Sequence, residues 1–332
     1  MGLAPRLAQI ALFAHFREAE LELLATCAVG RVYPAQTSVL RQGEPTHDVY
    51  VVDRGLVEIQ RTTPYGQFCL AQLGAGQLFG ETSFVDSATR SGDVVARTEA
   101  SLVALLSAPT RALLERDQRV AVALYWAFWK SLSAKLRSTN EQLGRFFSQG
   151  QRAPGEKPPL AKSPTGEFRL DIAAKRNLFA EQKLSSLEIN FLTSLSRERK
   201  LKSGQILFHE GDPGDAMYVV LEGRMLISKF IPGAGEEALA ILERGDFFGE
   251  MSLIDGEPRS ADARAHGGPL TVLALDQSTI QEMLVLDPQA SLDFLKLLCR
   301  LVAKRLREID EKVIGWRIMS GERTPEMSAG RA

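Results

Sequence analysis

The chain alternates between short, turn-punctuated apolar runs and long amphipathic ones, and this order of patterns occurs twice. Runs at 49–52, 56–59 and 224–229 are short and either β-branched or alternating, which predicts strands. Glycines separate such runs at turn-like intervals: Gly55, Gly66, Gly74, Gly76, Gly211, Gly214, Gly223, Gly233 and Gly235. Short, regularly spaced strands flanked by helical sequence predict an α+β fold built on a sandwich, jelly roll or barrel.

A long helix is predicted at the end of each strand-rich block. Apolar residues there step by three and four, which is the pattern of a heptad seam. The first helix carries Val122, Tyr125, Trp129, Leu132, Leu136, Thr139 and Leu143, and the second carries Leu292, Leu295, Cys299, Val302, Leu306, Ile309 and Val313. Each seam either packs on its own domain or pairs with another long helix. That second helix could belong to the other repeat or to a second subunit, so a homodimer through these helices stays open.

The two halves of the chain also align residue by residue. Arg41-Gln42-Gly43-Glu44 matches His209-Glu210-Gly211-Asp212, and the match continues through the strand that follows. A repeat of this length indicates duplicated domains and not a short-period solenoid. We therefore predict a first domain at 7–147, a Pro- and Gly-rich linker at 148–170, a second domain at 171–320 and a disordered tail at 321–332.

Composition narrows the class of protein. The chain has 332 residues, 45% hydrophobic and 24% charged, which suits two globular domains. A net charge of −1 gives no overall attraction to nucleic acid or anionic lipid. Cys27, Cys69 and Cys299 form no CxxC pair, and the longest apolar run, 120–129, is too short to cross a bilayer. We expect a soluble, cytoplasmic protein.

The candidate chemistry lies in residues 248–261, Phe-Gly-Glu-Met-Ser-Leu-Ile-Asp-Gly-Glu-Pro-Arg-Ser-Ala. Glu250 follows Phe-Gly, and Arg259 comes nine residues later; Glu81 and Arg90 repeat this spacing in the first half. A carboxylate accepts a hydroxyl hydrogen bond and a guanidinium forks onto phosphate oxygens, so the pair suits a ligand with both groups. The alternative is that Glu and Arg only pair with each other. The same Glu/Arg spacing occurs twice, in the same sequence frame, and this repetition favours two ligand sites over that alternative.

The residues around this pair strengthen the prediction. A short helix starts after Gly249, where free backbone N–H groups favour an anion and the missing Cβ allows close approach. Residues 255–258 then predict a turn that brings Arg259 back toward the same anion.

Residues 248–261, together with 201–208 and 211–215, resemble the phosphate-binding cassette and its surroundings in cyclic nucleotide-binding domains. Such domains occur in the catabolite activator protein, in regulatory subunits of the cAMP-dependent kinase and in cyclic-nucleotide-gated channels. The resemblance implies two tandem eight-stranded β-rolls, a double-stranded β-helix or jelly roll, each with an N-terminal helical element and a C-terminal helix that closes over the ligand.

The resemblance also implies roles for individual residues. Glu250 would bind the ribose 2′-hydroxyl and Arg259 the cyclic phosphate, with backbone groups of Gly249 and Ala261 and the hydroxyl of Ser260 as further contacts. The implied sites comprise Gly249, Glu250, Met251, Ser252, Arg259, Ser260 and Ala261 in the second repeat, and Gly80, Glu81, Thr82, Ser83, Arg90 and Ser91 in the first.

The first cassette departs from the second at Ser87, Thr89 and Gly92, which replace glycine, proline and alanine. We expect these changes to loosen its frame and weaken its binding. Serine after the arginine, at Ser91 and Ser260, accompanies cAMP in the activator protein, whereas threonine there often accompanies cGMP. The resemblance therefore favours cAMP as ligand, with cGMP as the alternative.

The leading hypothesis is a non-enzymatic, cofactor-free cyclic-nucleotide sensor that signals through its C-terminal helices to an unknown effector protein. It resembles kinase regulatory subunits, or an activator-like transcriptional regulator without its own helix-turn-helix. The sequence after the second long helix is too short for that motif, so no direct nucleic-acid binding is expected. We expect the basic residues of that helix to form a solvated face: Lys296, Arg300, Lys304, Arg305 and Arg307.

Three other classes receive less support. A cupin-type metalloenzyme needs clustered ligands, but His15, His47, His209 and His266 neither cluster nor repeat. A haem or iron–sulfur sensor is disfavoured by the scattered cysteines. A structural module that has lost its ligand would show erosion of the Glu/Arg pair, and both pairs are intact.

Overall fold

The computed structural model describes residues 2–148, 166–168, 196–231, 235–286 and 288–319. Contacts group the chain into two compact units: unit 1 contains Met1–Leu132 and Leu306–Ala332, and unit 2 contains Ser133–Arg305. Both divisions between the units fall inside a long helix. Unit 1 therefore combines two separate segments of the chain, whereas each predicted domain is one continuous segment. The contact grouping therefore assigns 133–147 to unit 2 and 306–319 to unit 1.

Unit 1 is built on eight antiparallel strands. They form two four-stranded sheets with the orders β1-β8-β3-β6 and β2-β7-β4-β5. The strands are β1 Ala28–Tyr33, β2 Ser38–Leu40, β3 Val49–Arg54, β4 Val57–Thr63, β5 Gly66–Leu73, β6 Leu78–Phe79, β7 Asp93–Ala96 and β8 Ala100–Leu105. The predicted eight-stranded β-roll is thereby confirmed.

Unit 2 repeats this arrangement, with sheets ordered β15-β12-β17-β10-β9 and β11-β16-β13-β14. The strands are β9 Gly166–Phe168, β10 Arg197–Leu201, β11 Ile206–Phe208, β12 Ala216–Glu222, β13 Met225–Ile231, β14 Gly235–Leu242, β15 Phe247–Phe248, β16 Asp262–Ala265 and β17 Leu270–Asp276. Strand β9 pairs with β10 although it lies in the segment predicted as linker. The rest of that segment, apart from Ser148, lies outside the described residues, as does the predicted tail.

Each roll buries the apolar face of its alternating strands, as period-two patterning requires. Aromatic rings occupy matching positions in the two cores. Tyr50 stacks on Phe79 with ring centroids 5.1 Å apart, and Tyr218 stacks on Phe248 at 5.3 Å. These pairs lie where β6 and β15 end, so they anchor the start of each cassette.

Helices flank both rolls. The described helices are α1 Leu3–Ala8, α2 Glu18–Ala25, α3 Glu81–Asp86, α4 Ser107–Arg116, α5 Gln118–Ser148, α6 Met251–Asp255, α7 Gln277–Leu286 and α8 Pro288–Met319, with a 3-10 turn at Ala11–Phe13. Helix α5 begins after Asp117, whose carboxylate accepts from the backbone N–H groups of Arg119 and Val120. No helix in the described ranges is long and apolar enough to span a membrane.

The predicted seams lie on α5 and α8, and every seam side chain that the structure describes is buried within the single chain except Val122, which is half-buried. Trp129 and Leu132 on α5 are at most 1% exposed, and Leu295 and Cys299 on α8 are fully buried. A second copy of the chain could reach these positions only by displacing what covers them. The homodimer prediction therefore gains no support from the seams.

Candidate functional site

The cassette of unit 2 brings its predicted Glu and Arg to one place. Strand β15 ends at Phe248, and Gly249, with φ +76°, turns the chain toward α6. Glu250 lies directly before that helix and is 2% exposed. Gly256, with φ +70°, ends the helix and the chain returns to Arg259, which is 4% exposed. The predicted helix is present, and after it the backbone N–H of Glu257 donates to Oδ1 of Asp255 at 3.0 Å as the chain returns to Arg259.

Backbone carbonyl groups hold the guanidinium of Arg259. Nη1 donates to the carbonyl oxygen of Gly249 at 2.6 Å, and Nη2 donates to that of Ala216 at 2.7 Å. The guanidinium carbon lies 4.4 Å from the centre of the Phe208 ring, a cation–π contact. Nε is buried and has no hydrogen-bond partner among the residues that the structure describes. The single N–H of Nε is therefore unused in this structure.

Burial sets the electrostatics of both arginines. Desolvation lowers the pKa of Arg259, and Tyr218 and Asp215 partly offset it. Desolvation likewise lowers the pKa of Arg90, with Tyr50 among the offsetting groups. Arginine nevertheless stays charged at neutral pH. A buried cation held mainly by neutral acceptors is incompletely compensated, which suits the binding of an anion.

Glu250 has its own cationic neighbour. Its two carboxylate oxygens lie 3.4 and 3.5 Å from Nη1 of Arg305, which α8 contributes to unit 2. The alternative in which Glu250 and Arg259 serve only to pair with each other therefore does not describe this cassette. The carboxylate contacts the long helix, and the guanidinium contacts the backbone of the roll.

The remaining predicted residues of this cassette line the same region. Met251, Ser252 and Ala261 are buried, and Ser260 is half-buried. The Ser260 hydroxyl lies 3.8 Å from the sulfur of Met251, and Nζ of Lys229 donates to the Ser260 carbonyl oxygen at 3.4 Å. The Ser260 hydroxyl therefore contacts Met251 within the cassette.

The cassette of unit 1 has the same plan. Gly80, with φ +85°, precedes α3, and Glu81 and Arg90 are 0% and 4% exposed. Arg90 donates from Nη1 to the carbonyl oxygen of Gly80 at 3.1 Å and from Nη2 to that of Asp48 at 2.7 Å. Its Nε donates to Oγ1 of Thr46 at 3.0 Å. In this cassette every nitrogen of the guanidinium therefore has a partner within the protein.

Other predicted residues of unit 1 also gather here. Glu81 accepts a hydrogen bond from the Ser131 hydroxyl of α5 at 3.1 Å. The Ser83 hydroxyl donates to the carbonyl oxygen of Thr89 at 3.3 Å. Thr82 is half-buried, as is Ser91, whose carbonyl oxygen accepts from Arg61.

The sequence departures in this cassette have different consequences. Ser87 takes φ +56° where Gly256 takes +70°, a conformation that costs a non-glycine residue about 1–2 kcal/mol. At Gly92 the expected loosening is wrong. A Cβ there would lie 2.4 Å from the carbonyl oxygen of Gln60, so close approach of β4 requires the glycine.

In unit 2, an arginine of a long helix binds the segment 255–258 of the cassette. Arg137 of α5 donates to both carboxylate oxygens of Asp255, from Nε at 2.7 Å and from Nη2 at 3.0 Å. Its Nη1 donates to the carbonyl oxygen of Pro258 at 2.8 Å. This bidentate contact was not predicted from the sequence.

Unit 1 contains the corresponding contact. Arg307 of α8 donates to the carboxylate of Asp86 at 2.7 and 3.2 Å, and to the carbonyl oxygen of Thr89 at 3.3 Å. The predicted solvated basic face is therefore wrong at Arg305 and Arg307. The signal was present in the sequence, because Arg137 and Arg307 occupy matching positions in the repeat.

Asn140 of α5 is a further residue beside this cassette that was not predicted from the sequence. It is 5% exposed, and its Nδ2 lies 3.5 Å from the Ser260 hydroxyl. Its Oδ1 is buried and has no hydrogen-bond partner within the described ranges. A carboxamide with an unsatisfied acceptor thus lies beside the candidate site of unit 2.

A metal site is not evident in the part of the chain that the structure describes. No group of three or more His, Cys, Asp or Glu side chains there is arranged to hold an ion.

Comparison with known proteins agrees with this geometry. The family model for the cyclic nucleotide-binding domain matches residues 30–117 and again residues 198–287. Both cassettes lie within these matches.

Several curated proteins are similar to the chain. A cAMP-dependent protein kinase regulatory subunit of Dictyostelium discoideum is 24% identical over 77% of this chain and 65% of its own length. Human cGMP-dependent protein kinase 2 is 19% identical over 79% of this chain and 28% of its length. A cyclic AMP receptor protein of Thermus thermophilus is 33% identical over 38% of this chain and 56% of its length. The chain thus spans less than two thirds of each relative. The two matches to the domain model, which cover more than half of the sequence, show that the chain belongs to the cyclic nucleotide-binding domain family.

Proposed function

We propose that this chain is a cyclic-nucleotide sensor with one site in each cassette. One observation carries the proposal: twice in the chain, a buried glutamate and a buried arginine converge on one loop, and the arginine is held by backbone carbonyl groups. Arg259 and Arg90 would bind the cyclic phosphate, and Glu250 and Glu81 the ribose 2′-hydroxyl. The protein would act by binding and not by catalysis.

We favour cAMP as the ligand, with cGMP as the alternative. Ser260 and Ser91 follow the two arginines, and serine at this position accompanies cAMP in the activator protein that the cassettes resemble. Asn140 adds support in unit 2, because a carboxamide offers one acceptor and one donor side by side. This pattern complements the exocyclic amine and the adjacent ring nitrogen of adenine.

Replacing Asn140 with aspartate should shift the preference of the second site toward cGMP. A carboxylate accepts from two guanine N–H groups but cannot donate to an adenine ring nitrogen, and such a base contact is worth about 1–3 kcal/mol. Competition binding of cAMP against cGMP measures the ratio. Asn140→Ala is the matched control and should weaken cAMP binding without favouring cGMP. An unchanged ratio in Asn140→Asp would mean that Asn140 does not contact the base.

We propose that occupancy is transmitted through α8 to an effector protein. The ribose hydroxyl would use the carboxylate of Glu250, which now lies 3.4 Å from Arg305 of that helix. Ligand and helix would then compete for one acceptor. A ligand shifts a helix only as far as it binds one arrangement better than the other, and this competition supplies such a difference.

Hydrogen exchange should therefore change more across residues 292–313 than across the strands β12 and β13 when nucleotide is added. Arg305→Met should reduce that change, because the helix no longer shares an acceptor with the ligand. Arg300→Met, an exposed site on the same helix, is the control and should behave as the parent. If protection at 292–313 stays constant while binding is saturated, the signal does not leave through α8.

A further inference from the structure

The two cassettes differ at one position that contacts the arginine. Aligning the repeats places Thr46 opposite Gly214, in the loop before β3 and before β12. In unit 1 the Thr46 hydroxyl accepts the single N–H of Arg90 Nε at 3.0 Å. In unit 2 the residue at this position is glycine, and Nε of Arg259 is buried without a hydrogen-bond partner in the described part of the chain.

Space in unit 2 excludes any such side chain. A Cβ at Gly214 would lie 2.5 Å from Cβ of Ser252 and 2.8 Å from Cζ and Nε of Arg259. Contacts under 3.0 Å to these atoms force the guanidinium to move. Gly214 therefore offers Nε of Arg259 no acceptor, whereas the hydroxyl of Thr46, an exposed residue, accepts the N–H of Arg90 Nε.

The N–H of Nε matters because of guanidinium geometry. Each terminal nitrogen carries two N–H groups, so Nη1 and Nη2 each keep a second N–H after donating the first to a carbonyl oxygen. Nε carries only one, and Thr46 uses it in Arg90. A side-on fork made by Nε and a terminal nitrogen can thus bind two oxygens of an anion at Arg259 but is half blocked at Arg90.

We infer that Thr46 is an affinity-setting residue that competes with the phosphate of the nucleotide for Arg90 and thereby weakens the first site relative to the second. This inference rests on the proposed function and assigns the difference between the sites to one hydroxyl group. It is independent of Ser87, Thr89 and Gly92.

The test uses the full chain with Arg259→Ala, which silences the second site, and compares Thr46 with Thr46→Val by calorimetric titration of cAMP. Valine keeps the shape of threonine and removes the hydroxyl, so the phosphate no longer competes with a protein acceptor for the N–H of Arg90 Nε. Hydrogen bonds to a charged group carry enough net energy for binding to become about tenfold tighter. Thermal unfolding without nucleotide should occur at a lower temperature, because that N–H loses its partner.

Thr37→Val in the same background is the control. The Thr37 hydroxyl lies outside the cassette and donates to the carbonyl oxygen of Pro34, whereas the Thr46 hydroxyl accepts from Arg90. Loss of the Thr37 hydroxyl should leave cAMP affinity unchanged. Equal or weaker binding by Thr46→Val would overturn the inference, as would absence of binding with either residue at position 46. In those cases the chain with Arg259 intact separates the two ideas. If that chain binds two cAMP, the proposed function stands and only the role of Thr46 fails; if it binds one, the proposed function holds for the second cassette alone; if it binds none, both fail.

Discussion

Arg259→Ala is expected to weaken cyclic-nucleotide binding at the second site by about 2–5 kcal/mol, the usual range for removing one partner of a buried charged contact. The side chain is 4% exposed, and the change removes the positive charge that the phosphate would meet. Calorimetric titration of the full chain measures the effect as loss of the tighter binding step.

Two further variants separate binding from stability. Arg259 also holds the carbonyl groups of Gly249 and Ala216, so alanine lowers stability as well. Arg259→Lys keeps the charge but loses the fork, and we expect intermediate affinity in a folded protein. Arg264→Ala removes a partly exposed ion pair with Glu236 and should leave binding intact. Parent-like affinity in Arg259→Ala would show that the phosphate binds elsewhere.

Gly223→Ala is expected to lower the free energy of unfolding by about 3 kcal/mol, adding left-handed strain and overpacking. Gly223 has φ +83° between β12 and β13, and a Cβ there would lie 2.3 Å from the carbonyl oxygen of Pro269. This carbonyl oxygen belongs to the backbone, so relief requires the chain before β17 to move. Urea unfolding followed by circular dichroism measures the loss.

Gly204→Ala is the matched control in the same unit. Gly204 has φ +76°, but a Cβ there meets nothing within 4 Å. This variant carries only the left-handed strain and should cost about 1–2 kcal/mol. If the two variants lose the same stability, close packing against Pro269 is not what requires Gly223.

Much of the fold was predictable because its determinants are local. Period-two runs and glycine turns gave the strands, and the duplicated frame placed Glu81 and Arg90 opposite Glu250 and Arg259. Gly249 and Gly256 do adopt the positive φ values expected of a tight cassette. These features depend on residues close to one another in the chain.

The contacts that polar side chains of α5 and α8 make with the cassettes were not predictable in the same way. A heptad pattern identifies which face of a helix is buried, but not which cassette its polar residues meet. Asn140 and Ser260 are 120 residues apart and Arg307 and Asp86 are 221 apart, so only the folded chain brings them together. Polar residues on such helices resemble a solvated face until their partners are known.

At Gly92 the prediction from the sequence is wrong. Glycine in place of alanine predicts a looser cassette, but the carbonyl oxygen of Gln60 lies so close that there is no room for a Cβ. The exchange of Gly214 for Thr46 was visible in the alignment of the repeats, and its meaning depended on the position of the arginine Nε.

We propose that this chain binds a cyclic nucleotide in both cassettes. Calorimetric titration of the full chain with cAMP, cGMP and 5′-AMP examines both sites in one experiment. We predict two binding steps for cAMP, the tighter one lost in Arg259→Ala, weaker binding of cGMP, and little binding of 5′-AMP, which lacks the cyclic phosphate. Absence of heat with both cyclic nucleotides, or equal affinity for 5′-AMP, would contradict the account.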